Sequence, residues 1–244
     1  MQGAPLLVYT TPMKPHQTHP SQPRSIEWIT FDCYGTLIDW EGGVADALTP
    51  FLAPPVDRAA LAARYIAIEA EVEHEAYRPY HEILAVTSAR LMTTLGHPLP
   101  AGRERALPES LPSWRPFPEV PAVLRALHAE GRRLAILSNV DRNLLRSSIA
   151  HLGVEPHLMI TAEDCRSYKP ARGHWDRFRE LSGAPAAITV HVAASQFHDI
   201  LPATALGYRT VFVNRHGEPV ASAPTRAVPD LRALPEIIRD LAGP

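Results

Sequence analysis

The sequence predicts an α/β protein: a doubly wound parallel sheet with a block of helices inserted early in the chain. Three observations carry this expectation. Short apolar runs at Ile26–Phe31, Leu134–Leu137, Leu158–Thr161, Ile188–Val192 and Thr210–Val213 are each bounded by turn residues. Helix-length segments separate the runs, and strands alternating with helices imply a parallel sheet covered on both faces. Between about Glu41 and Trp114 there is no convincing strand, only long helical segments.

Taken in order, residues 1–24 carry Pro5, Pro12, Pro15, Pro20 and Pro23 among Gln, Thr and His, with little periodicity. They read as a disordered tail, because so little apolar surface cannot offset the entropy of ordering. They also lack the basic patch and apolar stretch of a secretory signal. Ile26-Glu27-Trp28-Ile29-Thr30-Phe31 is rich in β-branched and aromatic residues and stops at Asp32. Arg58–Tyr77 and Tyr80–Leu95 are helical segments rich in Ala, Glu and Leu, and prolines such as Pro54, Pro55, Pro98 and Pro100 fall between periodic segments. Glu119–Glu130 places Val120, Val123, Leu124 and Leu127 at helical spacing and ends at Gly131. Asp141–Leu152 does the same with Leu144, Leu145, Ile149 and Leu152, and ends at Gly153. The expected organisation is therefore an α/β core at 25–41 and 115–244 and a helical insertion at 42–114.

Composition narrows the function. Of 244 residues, 24 are Lys or Arg and 26 are Asp or Glu, a net charge of −2. That balance gives no reason to expect a nucleic acid or an anionic membrane as partner. Cys33 and Cys165 are the two cysteines, so neither a disulfide framework nor a Cys-based zinc site is expected. No apolar run approaches the roughly 18 residues that cross a bilayer. A cytoplasmic protein acting on a small molecule is the expectation.

In an open parallel sheet, ligands bind beyond the carboxyl ends of the strands. Asp32-Cys33-Tyr34-Gly35-Thr36-Leu37 follows the first strand and Ser138-Asn139 the second. Ser167-Tyr168-Lys169-Pro170 comes shortly after the third, and Ala194-Ser195-Gln196-Phe197-His198-Asp199 follows the fourth. A carboxylate, a hydroxyl, an ammonium and a second carboxylate thus converge on one rim. Asp32, exposed by a Gly-Thr turn, suits nucleophilic attack that forms an ester or acyl-phosphate. Lys169 is expected to keep it ionised, since a neighbouring cation lowers a carboxylate pKa by roughly 1–3 units. Ser138 and Asn139 would hold an anionic group of the substrate, and Asp199 would orient Lys169 or a water. Cys33 is expected to be buried rather than reactive. The 12 histidines read as scattered surface or turn residues, with only His198 near the site.

These residues resemble the four motifs of the haloacid dehalogenase superfamily, over about residues 25–215, and the insertion is similar to the cap those proteins place over the site. Superfamily phosphatases carry a second Asp two residues after the nucleophile and an acidic Mg²⁺ ligand five residues before the last Asp. Tyr34 and Ala194 stand at those positions here. Asp32-Cys33-Tyr34 is instead similar to the type II 2-haloacid dehalogenases. The resemblance implies attack of Asp32 on Cα of a small 2-haloacid, loss of halide, and hydrolysis of the resulting ester, with no metal or other cofactor. It also implies a homodimer. Asp32, Lys169 and Asp199 would be catalytic, and Tyr34, Thr36, Ser138, Asn139 and Arg64 would contact substrate, Arg64 as the cap arginine that receives halide. Ala194 and Gln196 depart from the Ser and Asn that these dehalogenases carry before the final Asp. Two alternatives stand beside this reading: a Mg²⁺-dependent phosphatase of small esters, and a non-catalytic binding module on the same scaffold.

Overall fold

The computed structural model describes residues 25–243 except 55 and 76; the expected tail at 1–24 lies outside the described residues. Six strands, β1 (Trp28–Phe31), β2 (Arg133–Ser138), β3 (Leu158–Thr161), β4 (Thr189–Ala193), β5 (Arg209–Val213) and β6 (Arg226–Val228), form one sheet. Their order is β3-β2-β1-β4-β5-β6, and every pairing is parallel. The first five coincide with the apolar runs to within two residues. Strand β6 has no such run to announce it, being three residues long with Arg226 and Ala227 exposed at the sheet edge.

The helices between β1 and β2 are α1 (Trp40–Leu48), α2 (Arg58–Glu75), α3 (Tyr80–Thr94) and α4 (Ala106–Ser110). Helix α1 starts two residues before the expected insertion boundary because Asp39 caps it, accepting from the Gly42 N–H at 2.9 Å. Then come α5 (Val120–Ala129), α6 (Arg142–Ile149), α7 (Ala162–Cys165), α8 (Gly173–Ser182), α9 (Leu201–Ala205) and α10 (Leu234–Ala242).

Strand alternation sorts the core into two faces. Ile29 and Phe31, Leu134 and Ile136, Val190 and Val192 join Leu124 and Leu127 of α5 and Leu234 and Ile238 of α10. That cluster runs on into the insertion through Leu48, Leu61, Leu84, Leu91 and Trp114, so both parts share one continuous core. Trp28, Ala135 and Leu137 turn the other way, against Trp175 and Phe178 of α8 and Ala203 of α9. Burying each large side chain contributes roughly 1.5–3 kcal/mol.

The strand order also positions the site. From β1 the chain builds outward to β2 and β3, then returns to the other side of β1 for β4, β5 and β6. The connections after β1 and β4 therefore diverge and leave a crevice at their carboxyl ends, the switch point where open α/β sheets bind ligands.

Candidate active site

Asp32 is the first residue beyond β1. Its N–H donates to the Val192 carbonyl (3.1 Å), which extends the ladder and fixes it beside the end of β4. The chain then turns sharply: the Gly35 N–H donates to Ile38 O (2.8 Å) and the Leu37 N–H to Cys33 O (2.7 Å). Gly35 sits at φ +92°, a conformation costly for any residue with a Cβ. The turn brings the Thr36 hydroxyl back to donate to Asp32 Oδ2 (2.8 Å), while Thr36 Oγ1 accepts from the Ala194 N–H (2.9 Å). Thr36 thus ties the loop after β1 to the loop after β4.

Lys169 is 2% exposed, and its ammonium has three acceptors: Asp32 Oδ1 at 2.9 Å, Asp199 Oδ1 at 2.6 Å and Leu137 O at 2.9 Å. A buried cation is tolerated only when paired in this way. Asn139 clamps its backbone: the Lys169 N–H donates to Asn139 Oδ1 (2.7 Å) and Asn139 Nδ2 to Lys169 O (3.1 Å). Asp199 lies in a π-helical turn, Gln196–Ile200, capped by the Ser195 hydroxyl, which accepts from the His198 N–H at 3.1 Å. Asp199 Oδ1 also contacts His191 Nε2 (3.0 Å), and His191 Nδ1 contacts the Thr30 hydroxyl (2.8 Å).

Electrostatics separates the two carboxylates. Burial raises the Asp32 carboxyl above its usual value and the nearby Asp199 charge adds to this, against the pull of Lys169 and Thr36. The expectation that Lys169 would dominate is thereby corrected: desolvation outweighs it. Burial also pushes Asp199 up, but Lys169 and the His191 hydrogen bond overcome it and hold that carboxyl well below the usual range. Burial works against the Lys169 ammonium, and the two carboxylates still raise its pKa. Two acids whose environments push them apart take different roles.

The remaining predicted residues divide. Ser138 Oγ is buried and has no hydrogen-bond partner among the described residues, so its hydroxyl is free for a ligand. Asn139 uses its side-chain amide on Lys169 and is a clamp; only its backbone is left for substrate. Thr36 likewise spends its hydroxyl on Asp32 and Ala194. The Tyr34 phenol is bonded to Ser148 Oγ on α6 (2.8 Å), and its ring packs edge-on against Trp114. Arg64 is not brought to the cluster: it is exposed on α2, whose buried side carries Leu61, Tyr65 and Val72. Burial, aided by the Asp32 charge, pushes the Cys33 thiol well above its ordinary value, in keeping with an inert side chain.

Several participants have no signature in the motifs. His191 and His174 are fully buried, and His174 Nε2 lies 3.1 Å from Ser138 O. Burial lowers the His174 pKa to about 4, and Lys169 adds to the effect. Arg215 forms an ion pair with Glu119 (2.9 Å), donates to Thr36 O (2.9 Å) and stacks over Phe117 (3.5 Å), holding the loop after β1 from outside. On the insertion, Glu69 Oε1 accepts from Tyr65 (2.9 Å) and Tyr80 (2.8 Å). One turn on, burial pushes Glu73 up to about 8, with Glu69 raising it further and Lys169 opposing. Asp141 accepts from the N–H groups of Tyr80 (2.7 Å) and His81 (2.9 Å), fastening the start of α3 to the β2 loop. A polar residue inside a buried strand, as in Thr189-Val190-His191-Val192-Ala193, was the available signal for His191.

A cleft of about 390 Å³ lies beside the loop after β1, between Gly35, Trp40, Glu119, Arg215 and His216; Asp32, Lys169 and Asp199 do not line it. Asp32, Lys169 and Asp199 instead form a separate buried cluster, an arrangement of carboxylate, ammonium and second carboxylate that can supply a nucleophile and a proton acceptor.

Comparison with known proteins identifies the family. The family model for haloacid dehalogenase-like hydrolases matches residues 26–207. The chain is 28% identical over 224 residues to haloacetate dehalogenase H-2 of Moraxella sp. (strain B), covering 88% of this chain and 99% of that one. It is 27% identical over 226 residues to the (S)-2-haloacid dehalogenase of Pseudomonas sp. (strain YL), covering 89% and 97%. A crystal structure of an L-2-haloacid dehalogenase superposes with a TM-score of 0.80 at 25% identity, covering 88% of this chain and 99% of that one. With the parallel sheet, the four loops and the Asp32–Lys169–Asp199 cluster in place, the chain belongs to the haloacid dehalogenase-like hydrolases.

Proposed function

We propose that the chain hydrolyses the carbon–halogen bond of small 2-halocarboxylic acids through an ester on Asp32, without a metal ion, beneath the helical insertion acting as a cap. Asp32 attacks the halogen-bearing Cα, a C–O bond forms, and halide leaves with the bonding pair. A water held by Asp199 then adds to the Asp32 ester carbonyl, its proton passing to Asp199. The acyl C–O bond breaks, and the departing alkoxide takes that proton back from Asp199. The 2-hydroxy acid leaves as the new Asp32 carboxyl gives its own proton to solvent and returns to the carboxylate. Ser138 Oγ and the backbone N–H groups of the β2 loop receive the substrate carboxylate.

One observation carries this reading: Tyr34 stands two residues after the nucleophile. Its phenol is committed to Ser148 at 2.8 Å and its pKa is raised well above the usual value by burial, so that position offers no acid to protonate an alkoxide displaced when Asp32 first attacks. Halide needs no proton to leave. The residues present also fit a resident Mg²⁺ poorly. The Lys169 ammonium already bridges the two carboxylates, Ala194 offers only a backbone N–H to Thr36, and among the described residues no group of three His, Cys, Asp or Glu could hold a metal.

The test is halide release from chloroacetate, fluoroacetate and both enantiomers of 2-chloropropionate, with and without EDTA, beside an aryl phosphate with Mg²⁺. The expected result is release unaffected by EDTA and abolished by Asp32→Asn. Phosphate release alone, lost with EDTA, would establish the phosphatase instead. Silence in all wells would favour the binding module.

A further inference from the structure

We propose that His191 is a positioning residue for the second half of the reaction: it pins Asp199 so that one carboxylate oxygen is presented to the hydrolytic water. This rests on the aspartyl-ester chemistry proposed above and assigns a role to a residue outside the four motif loops.

The argument begins with strand alternation. Val190 and Val192 turn to the α5 face, so His191 points the other way, and its register partner on β1 is Thr30. Trp175 of α8 lies edge-on to the imidazole at 5.6 Å, and the ring is completely buried. A neutral imidazole has one N–H and one lone pair, and each must find a partner in such a place. Asp199 can only accept, so the proton belongs on Nε2, 3.0 Å from Asp199 Oδ1. Nδ1 is then the acceptor, and the Thr30 hydroxyl donates to it at 2.8 Å in preference to Val190 O at 3.4 Å. Thr30 thereby fixes the tautomer, and the tautomer aims a donor at Asp199.

Both donors to Asp199, Lys169 Nζ at 2.6 Å and His191 Nε2 at 3.0 Å, converge on Oδ1, and no described residue donates to Oδ2. Donors from two separate elements stop the carboxylate from rotating, and Oδ2 is left for water. The division of labour follows from the contacts. Lys169 bonds to both Asp32 and Asp199, whereas of these two carboxylates His191 bonds only to Asp199. Loss of His191 therefore leaves the nucleophile with Lys169 and Thr36, and slows ester hydrolysis rather than ester formation.

The experiment uses the full chain, 2-chloropropionate or chloroacetate, and three variants. In His191→Leu, kcat should fall roughly 10–100-fold, a part of what a general base supplies. KM should fall with it, so that kcat/KM is nearly unchanged, and intact-protein mass spectrometry should show the Asp32 ester accumulating. His191→Gln, which keeps an N–H near the Nε2 position, should recover most of kcat. Thr30→Val, close in shape and independent of any packing change at 191, should give a milder version of the same split. An unchanged kcat, or a kcat/KM that falls with kcat and no trapped ester, overturns the proposal. Nitrogen NMR of the His191 ring provides an arm free of substrate: the Nε2–H tautomer is expected, and Nδ1–H refutes the assigned role. A wild-type protein that releases no halide refutes the dehalogenase reading instead, so the two failures are distinguishable.

Discussion

Replacing Lys169 by Met removes the ammonium that joins Asp32 and Asp199 while nearly keeping the volume of the side chain. Two buried carboxylates then face each other without a counter-charge. Neutralising one of them by proton uptake limits the damage, and that limit can be worked out. From the ordinary value of 3.8, at 1.36 kcal/mol per pH unit, holding a carboxyl protonated costs about 6 kcal/mol at pH 8, about 4 at pH 7 and about 2 at pH 5. The middle figure agrees with the 3–5 kcal/mol typical of breaking a buried ion pair. The sign follows from linkage. In the variant both carboxyls have folded pKa values above their unfolded ones, so stability falls as pH rises. In the wild type Asp199 is depressed, so its contribution is present throughout pH 5–8 and disappears only as the pH drops below the usual carboxylate range. The carboxyl of Glu73 is raised in both proteins, and losing Lys169, which opposes that rise, moves it further up in the variant, so its share of the difference also grows as pH rises. Urea unfolding of both at pH 5, 7 and 8 measures it, and turnover should fall by about three orders of magnitude. A difference below about 1 kcal/mol at pH 8, or one larger at pH 5 than at pH 8, would refute the reasoning.

Other outcomes follow from particular contacts. Glu73, raised from 4.5 to about 8, weakens the fold as pH climbs through that interval; Glu73→Gln should leave stability unchanged at pH 5 and raise it by roughly 1–3 kcal/mol at pH 9. Thermal melts at the two pH values decide this, and equal gains at both would contradict it. Helix propensity favours Gly43→Ala by about 1 kcal/mol, but the added Cβ would collide with the indole of Trp114, which is 4% exposed. The net expectation is a loss of roughly 1–3 kcal/mol in chemical denaturation, and a stabilised variant would show that the indole can move. Asp141→Ala frees two N–H groups at the start of α3 and the His81 ring held at 2.7 Å. It should cost roughly 1–3 kcal/mol and speed hydrogen exchange across residues 80–94, while exchange in β1 and β4 stays as in the wild type.

What could be read without a structure depended on how local its cause was. The apolar runs of β1, β2, β4 and β5 are buried on both sheet faces, so each of these strands is written continuously into its own residues. Edge strand β6 is held by pairing with β5 and carries little pattern of its own. Asp32, Lys169 and Asp199 were legible because each stands beyond a strand whose carboxyl end the parallel topology directs to one rim. Arg64 was inferred from distance along the chain. Helix α2 buries Leu61, Tyr65 and Val72 and leaves Arg64 exposed, an outcome set by which helical face meets the core.

The sequence by itself determined the doubly wound sheet, the run of helices after β1 and the placing of Asp32, Lys169 and Asp199 beyond strand ends, because periodicity and strand-end position are properties of consecutive residues. Only the tertiary structure decided what those groups become. Desolvation against Lys169 sets the Asp32 carboxyl, and the hydroxyls of Tyr34 and Thr36 are consumed by Ser148 and Asp32. His191, one histidine among 12 in the chain, meets Asp199 through a strand register and a loop that fold together. Burial and hydrogen-bond partnership depend on groups distant in the chain, such as Lys169, 137 residues from Asp32, and no local pattern encodes the free energy of that meeting.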